Sequence, residues 1–217
     1  MPEAVFFDLD GTLADTAPDL AGTLNRLKAE CGLEPSPFEK LRPQVSNGVR
    51  GLLSVGFGLA PEAPGYAELA QRFLALYAES LCVETSLFPG MAALLDQLDQ
   101  RNIAWGVVTN KAERLARPLV DALGLTERSL CIVGGDTTAR AKPFPDPLLL
   151  ACSLAGIPPS SCLYVGDDIR DIVAGKAAGM RTVAAGYGYL GSHPISTWNA
   201  DTIIDHPLQI LRLLENL

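Results

Sequence analysis

Apolar residues along this chain follow two rhythms that meet near Phe88. The run Ala4-Val5-Phe6-Phe7 reads as a buried strand. Leu20, Leu24, Leu27 and Cys31 then fall on one helical face, behind a start signal at Asp15-Thr16-Ala17-Pro18-Asp19. Two prolines between Glu34 and Phe38 break that helix. Helical spacing returns over Val49–Val55, pauses through a Gly/Pro-rich link from Gly56 to Gly65, and resumes at Leu69, Phe73, Leu76 and Tyr77. No strand pattern stands out between Ala17 and about Val83, so this stretch predicts a small all-helical insert.

From Phe88 onward, short apolar strands alternate with helices. Met91, Leu94, Leu95 and Leu98 mark a helix, followed by a strand over Ile103–Thr109 and a helix that ends near Gly124, with Pro118 inside it. The pattern then predicts strands over Leu130–Val133, Cys162–Val165, Thr182–Ala184 and Ala200–Ile204. Helices fall over Pro147–Ala155, Ile169–Ala178 (stopped by Gly179) and Leu208–Leu214. This alternation predicts an α/β fold, a Rossmann-like parallel sheet with helices on both faces. Such sheets bind ligands beyond the carboxyl ends of their strands.

At 217 residues the chain can bury a substantial core, and 48% apolar with 19% charged residues is ordinary for a globular protein. A net charge of −8 argues against a nucleic-acid partner, which would need clustered Lys and Arg. No apolar stretch reaches the ~18 residues of a membrane span. Five scattered cysteines (Cys31, Cys82, Cys131, Cys152 and Cys162) and only two histidines disfavour a zinc site. The expectation is buried, reduced thiols, no secretory leader, and a cytoplasmic protein.

The chemistry concentrates at four predicted loops. Asp8-Leu9-Asp10-Gly11-Thr12 follows the first strand, and side chains two apart on extended chain point the same way. Asp8 and Asp10 would share a site in which like charges require a cation or proton between them. Thr109-Asn110-Lys111 ends the strand that begins near Ile103. Lys142-Pro143-Phe144-Pro145-Asp146-Pro147 holds a cation in a proline-stiffened loop. Gly166-Asp167-Asp168-Ile169-Arg170-Asp171 ends another strand in carboxylates. Asp8, Thr109 and Asp167 thus converge from three strand ends.

This order of segments closely resembles the haloacid dehalogenase superfamily, whose motifs read DxD, then Ser/Thr, then Lys, then GDDxxD. The resemblance spans essentially the whole chain. It implies a catalytic core over residues 1–16 and 84–217 and a helical cap over 17–83 that sets substrate specificity, with Asp15-Thr16 and Thr85–Phe88 as the connecting strands. It further implies that Asp8 attacks phosphorus and becomes an aspartyl-phosphate, and that Asp10 serves as acid and then base. Thr109 and Lys142 would hold the phosphoryl oxygens, with Leu9 and Asn110 as further donors. Lys111, expected on one helix with Arg114 and Arg117, would lie within reach, the other two being surface charge. Magnesium suits an all-oxygen site; the ligands implied are Asp8, the Asp10 carbonyl and Asp167, with Asp168 and Asp171 behind them.

In the insert, Ser46-Asn47-Gly48-Val49-Arg50 is a polar loop whose Arg50 could clamp a substrate carboxylate. Asp10 disfavours dehalogenation, because a halide leaves without protonation. DLDGTLADT, VVTNK, KPFPDP and GDDIRDI resemble the phosphoglycolate phosphatase-like branch. The tail features Tyr187-Gly188-Tyr189, Trp198–Asp201 and Asp205–Leu208 also look like bacterial N-acetylmuramate 6-phosphate phosphatases. The resemblance therefore implies a magnesium-dependent phosphomonoesterase acting on a small phosphorylated metabolite. A 2-phosphoglycolate-type substrate comes first and N-acetylmuramate 6-phosphate is the alternative. A beta-phosphoglucomutase-like mutase would use the same core, and a receiver-like phosphorylation switch is disfavoured because one strand here carries both acids.

Overall fold

Strand β1 (Ala4–Phe7) is wholly buried and alternates its side chains between two apolar layers. Val5 and Phe7 join the cluster that includes α5 (Met91–Gln100), α6 (Glu113–Ala122) and α9 (Gln209–Glu215). Ala4 and Phe6 pack instead with α7 (Asp146–Ala155) and α8 (Ile169–Ala178). Both faces of the sheet are therefore covered, as a parallel sheet demands. The computed structural model describes residues 2–191 and 193–215.

The sheet has six parallel strands. Besides β1 these are β4 (Ala104–Val108), β5 (Ile132–Val133), β6 (Cys162–Gly166), β7 (Arg181–Ala185) and β8 (Thr202–Ile204), in the order β5-β4-β1-β6-β7-β8. The chain builds outward from β1 through β4 to β5, then returns to the other side of β1 for β6, β7 and β8. That reversal puts the topological switch point at the carboxyl end of β1. Register pairs Phe7 with Val107 on one side and with Val165 on the other. The residues that leave β1, β4 and β6 therefore emerge together.

Between β1 and β4 the chain forms a helical insertion. Its elements are α1 (Ala17–Glu30), α2 (Phe38–Leu41), a 3-10 turn over Arg42–Asn47, α3 (Gly48–Phe57) and α4 (Tyr66–Glu79). Leu24, Leu27, Leu41, Leu52, Phe73 and Leu76 form its interior, continuous with the sheet cluster. Two short strands, β2 (Ala14–Asp15) and β3 (Ser86–Leu87), pair antiparallel where the insertion leaves and rejoins the sheet. The buried Asp19 carboxylate ties these connections together. It accepts the backbone N–H of Val83, Glu84 and Thr85 and the Thr85 hydroxyl, at 2.6–3.1 Å. From the sheet side, the Tyr189 hydroxyl accepts the N–H groups of Thr16 at 2.8 Å and Ala17 at 2.9 Å.

The structure corrects the sequence expectation in several places. Helix α1 stops at Glu30, so Cys31 caps it from an exposed position, and Cys82 is only partly buried; the other three cysteines are buried. The strand expected over Leu130–Val133 is only Ile132–Val133, on the sheet's edge, with Leu130 exposed. Lys111 lies in the loop before α6 rather than on that helix. Among the described residues, no helix is long and apolar enough to cross a membrane.

Candidate active site

Asp8 leaves β1 with its N–H bonded to the Val165 carbonyl at 2.9 Å, which fixes it at the sheet's end. Its Oδ1 accepts the Leu9 N–H at 2.7 Å and lies 3.0 Å from Lys142 Nζ. Gly11 then turns the chain at φ +85°, a conformation open to glycine. A Cβ there would stand 2.2 Å from Asp167 Oδ2, so the turn must also be bare to pack on the carboxylate.

Asp167 follows β6 and is fully buried. Thr12 donates its hydroxyl to Asp167 Oδ1 at 2.9 Å, and the Tyr189 N–H donates to Oδ2 at 2.9 Å. The insertion reaches the same group, since the Ser46 hydroxyl donates to Oδ2 at 3.2 Å. Asp8, Asp167 and Asp171 present carboxylate oxygens within 4.8 Å of one another. Burial, then the charges of Asp8 and Asp171, push the Asp167 carboxyl well above the usual range. Burial likewise pushes Asp171 up to about 7, with Lys142 opposing and Asp8 assisting.

Lys142 is the cation set against this cluster. Its ammonium contacts Asp171 Oδ1 at 2.7 Å, Asp8 Oδ1 at 3.0 Å, the Tyr164 hydroxyl at 2.7 Å and the Val108 carbonyl at 3.1 Å. Burial would favour its neutral form, but Asp171 and Asp8 outweigh that and raise its pKa. Three clustered carboxylates, two of them on one buried ammonium, leave excess negative charge and oxygen donors only. That set fits a hard divalent cation.

Asp10 faces the cavity from the next turn. Lys111 Nζ grips it at 2.9 and 3.2 Å, and the Thr16 hydroxyl donates to it at 2.6 Å. Thr16 thus spends on Asp10 the hydroxyl that would otherwise cap α1. Thr109 is buried at the end of β4, and its hydroxyl oxygen accepts the Lys111 N–H at 3.1 Å. Asn110 engages both backbone groups of Lys142, accepting its N–H at 3.0 Å and donating to its carbonyl at 2.9 Å. Asn110 therefore fastens the lysine's loop to β4.

Asp168 caps α8 in a reciprocal box with Asp171, and Arg170 grips its carboxylate through Nε at 2.7 Å and Nη2 at 2.8 Å. Asp168 is therefore turned to the arginine, whereas Asp171 faces the acidic cluster. Arg170 also donates to the Ser46 carbonyl at 2.6 Å, a second tie between sheet and insertion.

A cavity of about 320 Å³ opens over these groups. Asp8, Asp10, Thr109, Asn110, Lys111, Arg114 and Arg170 line it from the sheet side. Ser46, Asn47 and Gly48 line it from the insertion, with an apolar wall of Leu20, Val45, Val49, Phe73, Leu74 and Tyr77. Arg50 is exposed and lies elsewhere, lining an adjoining hollow of about 240 Å³ with His193 and Trp198. The structure thus brings together the strand-end residues and Ser46–Gly48, but not Arg50. Thr12, Tyr77, Arg114, Arg170 and Tyr189 were not among the site residues expected from the sequence. Of these, Thr12, Arg170 and Tyr189 had a signal, since each sits inside a segment that the sequence singled out.

Known proteins resemble this chain along nearly its whole length. Residues 5–185 match the haloacid dehalogenase-like hydrolase family. An N-acetylmuramic acid 6-phosphate phosphatase of Pseudomonas putida is 43% identical over 98% of this chain and 96% of its own length. A phosphoglycolate phosphatase of Xanthomonas campestris is 44% identical over 96% of this chain and 95% of its own. Among solved structures, a predicted phosphoglycolate phosphatase of Haemophilus somnus 129PT superposes with a TM-score of 0.87 at 28% identity, covering 98% of this chain and 97% of that one. CbbY from Rhodobacter sphaeroides, solved with phosphate, gives 0.74 at 28% identity, covering 97% of this chain and 96% of that one.

Proposed function

The chain belongs to the haloacid dehalogenase-like hydrolases, and from that premise we propose that it hydrolyses a carboxylate-bearing phosphomonoester with Asp8 as the nucleophile. It is a phosphoric monoester hydrolase. One observation carries the assignment of the chemistry: Asp8 stands at the sheet's switch point against both an acidic cluster and the Lys142 ammonium. A carboxylate in that setting can attack phosphorus while the cation opposes the charge on the transferring group. Asp10, across the cavity floor, would protonate the departing alkoxide and then take a proton from the water that cleaves the aspartyl-phosphate. Thr109 and Lys142 would hold the phosphoryl oxygens. A magnesium ion, held by Asp8, Asp167 and the Asp10 carbonyl, would neutralise charge shared by phosphate and nucleophile. Residues 17–83 would act as the cap, and the five free thiols suit the reducing cytoplasm.

Two substrates fit the proposed class. 2-Phosphoglycolate needs little beyond the phosphate pocket and one cation. N-acetylmuramate 6-phosphate is favoured by the cavity itself, since about 320 Å³ with an apolar wall exceeds what a two-carbon acid fills. Phosphate release from the two esters, measured side by side with p-nitrophenyl phosphate, tests the reading. A preference of about tenfold or more in kcat/KM for either acid supports it, and no preference removes the carboxylate. Product analysis would expose a mutase as an isomerised phosphate ester rather than free phosphate.

The cation has a test independent of turnover. Asp167 and Asp171 have folded-state pKa values above their unfolded ones. Their contribution is complete below the unfolded value near ~4 and is lost as pH rises through the folded values. The metal-free protein should therefore melt at lower temperature at pH 8 than at pH 5. Millimolar magnesium should reverse this, with an increment that grows with pH, because it binds the ionised cluster. A magnesium shift of equal size at both pH values would remove the ion from these carboxylates.

A further inference from the structure

The chemistry of this site uses the cavity's floor, but one polar group in its wall has no role there. Tyr77, on α4, is 1% exposed; its hydroxyl oxygen lies against the Lys111 ammonium, and its proton has no acceptor among the described residues. A buried O–H without an acceptor is unfavourable, and in a ligand-binding wall it marks where a ligand atom would complete the bonding. The Lys111 ammonium lies 4.5 Å from the centre of the Tyr77 ring, while the same ammonium holds Asp10. Burial pushes the Tyr77 phenol up to about 12, so it keeps its proton and can donate. Around this pair the wall is apolar, through Val49, Phe73 and Leu74.

We propose that Tyr77 and Lys111 form the subsite that reads the substrate's carboxylate, and that they select a phosphomonoester whose carboxylate sits on an alkyl-bearing frame. The carboxylate accepts the Tyr77 O–H and a Lys111 N–H, and the adjoining alkyl group packs on Phe73 and Leu74. This deepens the proposed function and rests on it. It also shifts the selectivity role from Arg50, outside the catalytic cavity, to a residue of α4 inside it.

Two sugar phosphates isolate the effect. N-acetylmuramate 6-phosphate and N-acetylglucosamine 6-phosphate differ by the lactyl ether that carries both a carboxylate and a methyl group. Wild-type enzyme should prefer the former in kcat/KM, and Tyr77→Phe should cut that preference at least about tenfold, as expected when a recognition hydrogen bond is deleted. The melting temperature of the ligand-free variant should hold or rise, because the change removes only a buried O–H that lacked an acceptor. A preference that survives Tyr77→Phe overturns the inference, as does an equal loss on both sugars or a fall in melting temperature. Wild-type enzyme with no preference for the carboxylated sugar overturns the inference at its first step. If 2-phosphoglycolate is then hydrolysed faster than p-nitrophenyl phosphate, the proposed function stands without it.

Discussion

The Asp8→Asn variant is expected to lose at least about 10⁴-fold in kcat, yet to melt at higher temperature than wild type in metal-free buffer. The amide keeps the shape of the side chain but cannot attack phosphorus, so no aspartyl-phosphate forms and the residual rate is that of binding and positioning alone. The stability gain has a separate origin. Asp8, Asp167 and Asp171 crowd carboxylates within 4.8 Å, with Lys142 as the cation among them. Removing one negative charge relieves repulsion on the other two, and Lys142 keeps its closer partner, Asp171, at 2.7 Å. The same substitution should blunt stabilisation by magnesium. Phosphate release and thermal melting, each with and without the metal, report the two effects separately. Normal turnover would end the nucleophile assignment, and an unchanged magnesium shift would end the role of Asp8 in holding the cation.

Lys142→Met should damage both catalysis and folding. The methionine matches the stem of the lysine and deletes the charge, so the loss is electrostatic rather than a cavity. Removing a preorganised donor to the transferring phosphoryl group costs about 10²–10³-fold in kcat. Breaking a buried ion pair costs about 3–5 kcal/mol, because the surviving partner is left without compensation. Here that partner is Asp171, whose carboxyl is already raised to about 7 while Lys142 is present. Without the ammonium it rises further. A raised carboxyl stabilises the fold when protonated and loses that contribution as pH climbs, so the deficit of the variant should be smaller at pH 5 than at pH 8. Melting curves at the two values check the sign. A deficit independent of pH would mean that Asp171 does not depend on Lys142.

How much of this was legible in the sequence depended on distance along the chain. The strand ends bearing Asp8, Thr109 and Asp167 announced themselves, because an apolar run that stops at a polar cluster is a local signal. The capping of α8 by Asp168 and the alternation of strands and helices were local too. Tyr77, in the proposed carboxylate subsite, had no local signal. At helical spacing with Phe73 it reads as core, and its ring is core; only its O–H without an acceptor and the approach of Lys111 set it apart. Arg50 stands the other way round. Its loop, Ser46–Gly48, does reach the cavity, but one turn into α3 the side chain lines the adjoining hollow instead. Thr12 sat in plain view, yet its partner Asp167 lies 155 residues away.

The two strands β2 and β3, bound edge to edge and knotted by Asp19, have a mechanical consequence. The chain enters and leaves the helical insertion side by side, so the backbone joins the insertion to the sheet at one place. Ser46 adds a second attachment at the cavity, with its hydroxyl on Asp167 and its carbonyl held by Arg170. Both of those bonds hang on one residue, so any displacement of Ser46 is felt at Asp167 and at Arg170 together.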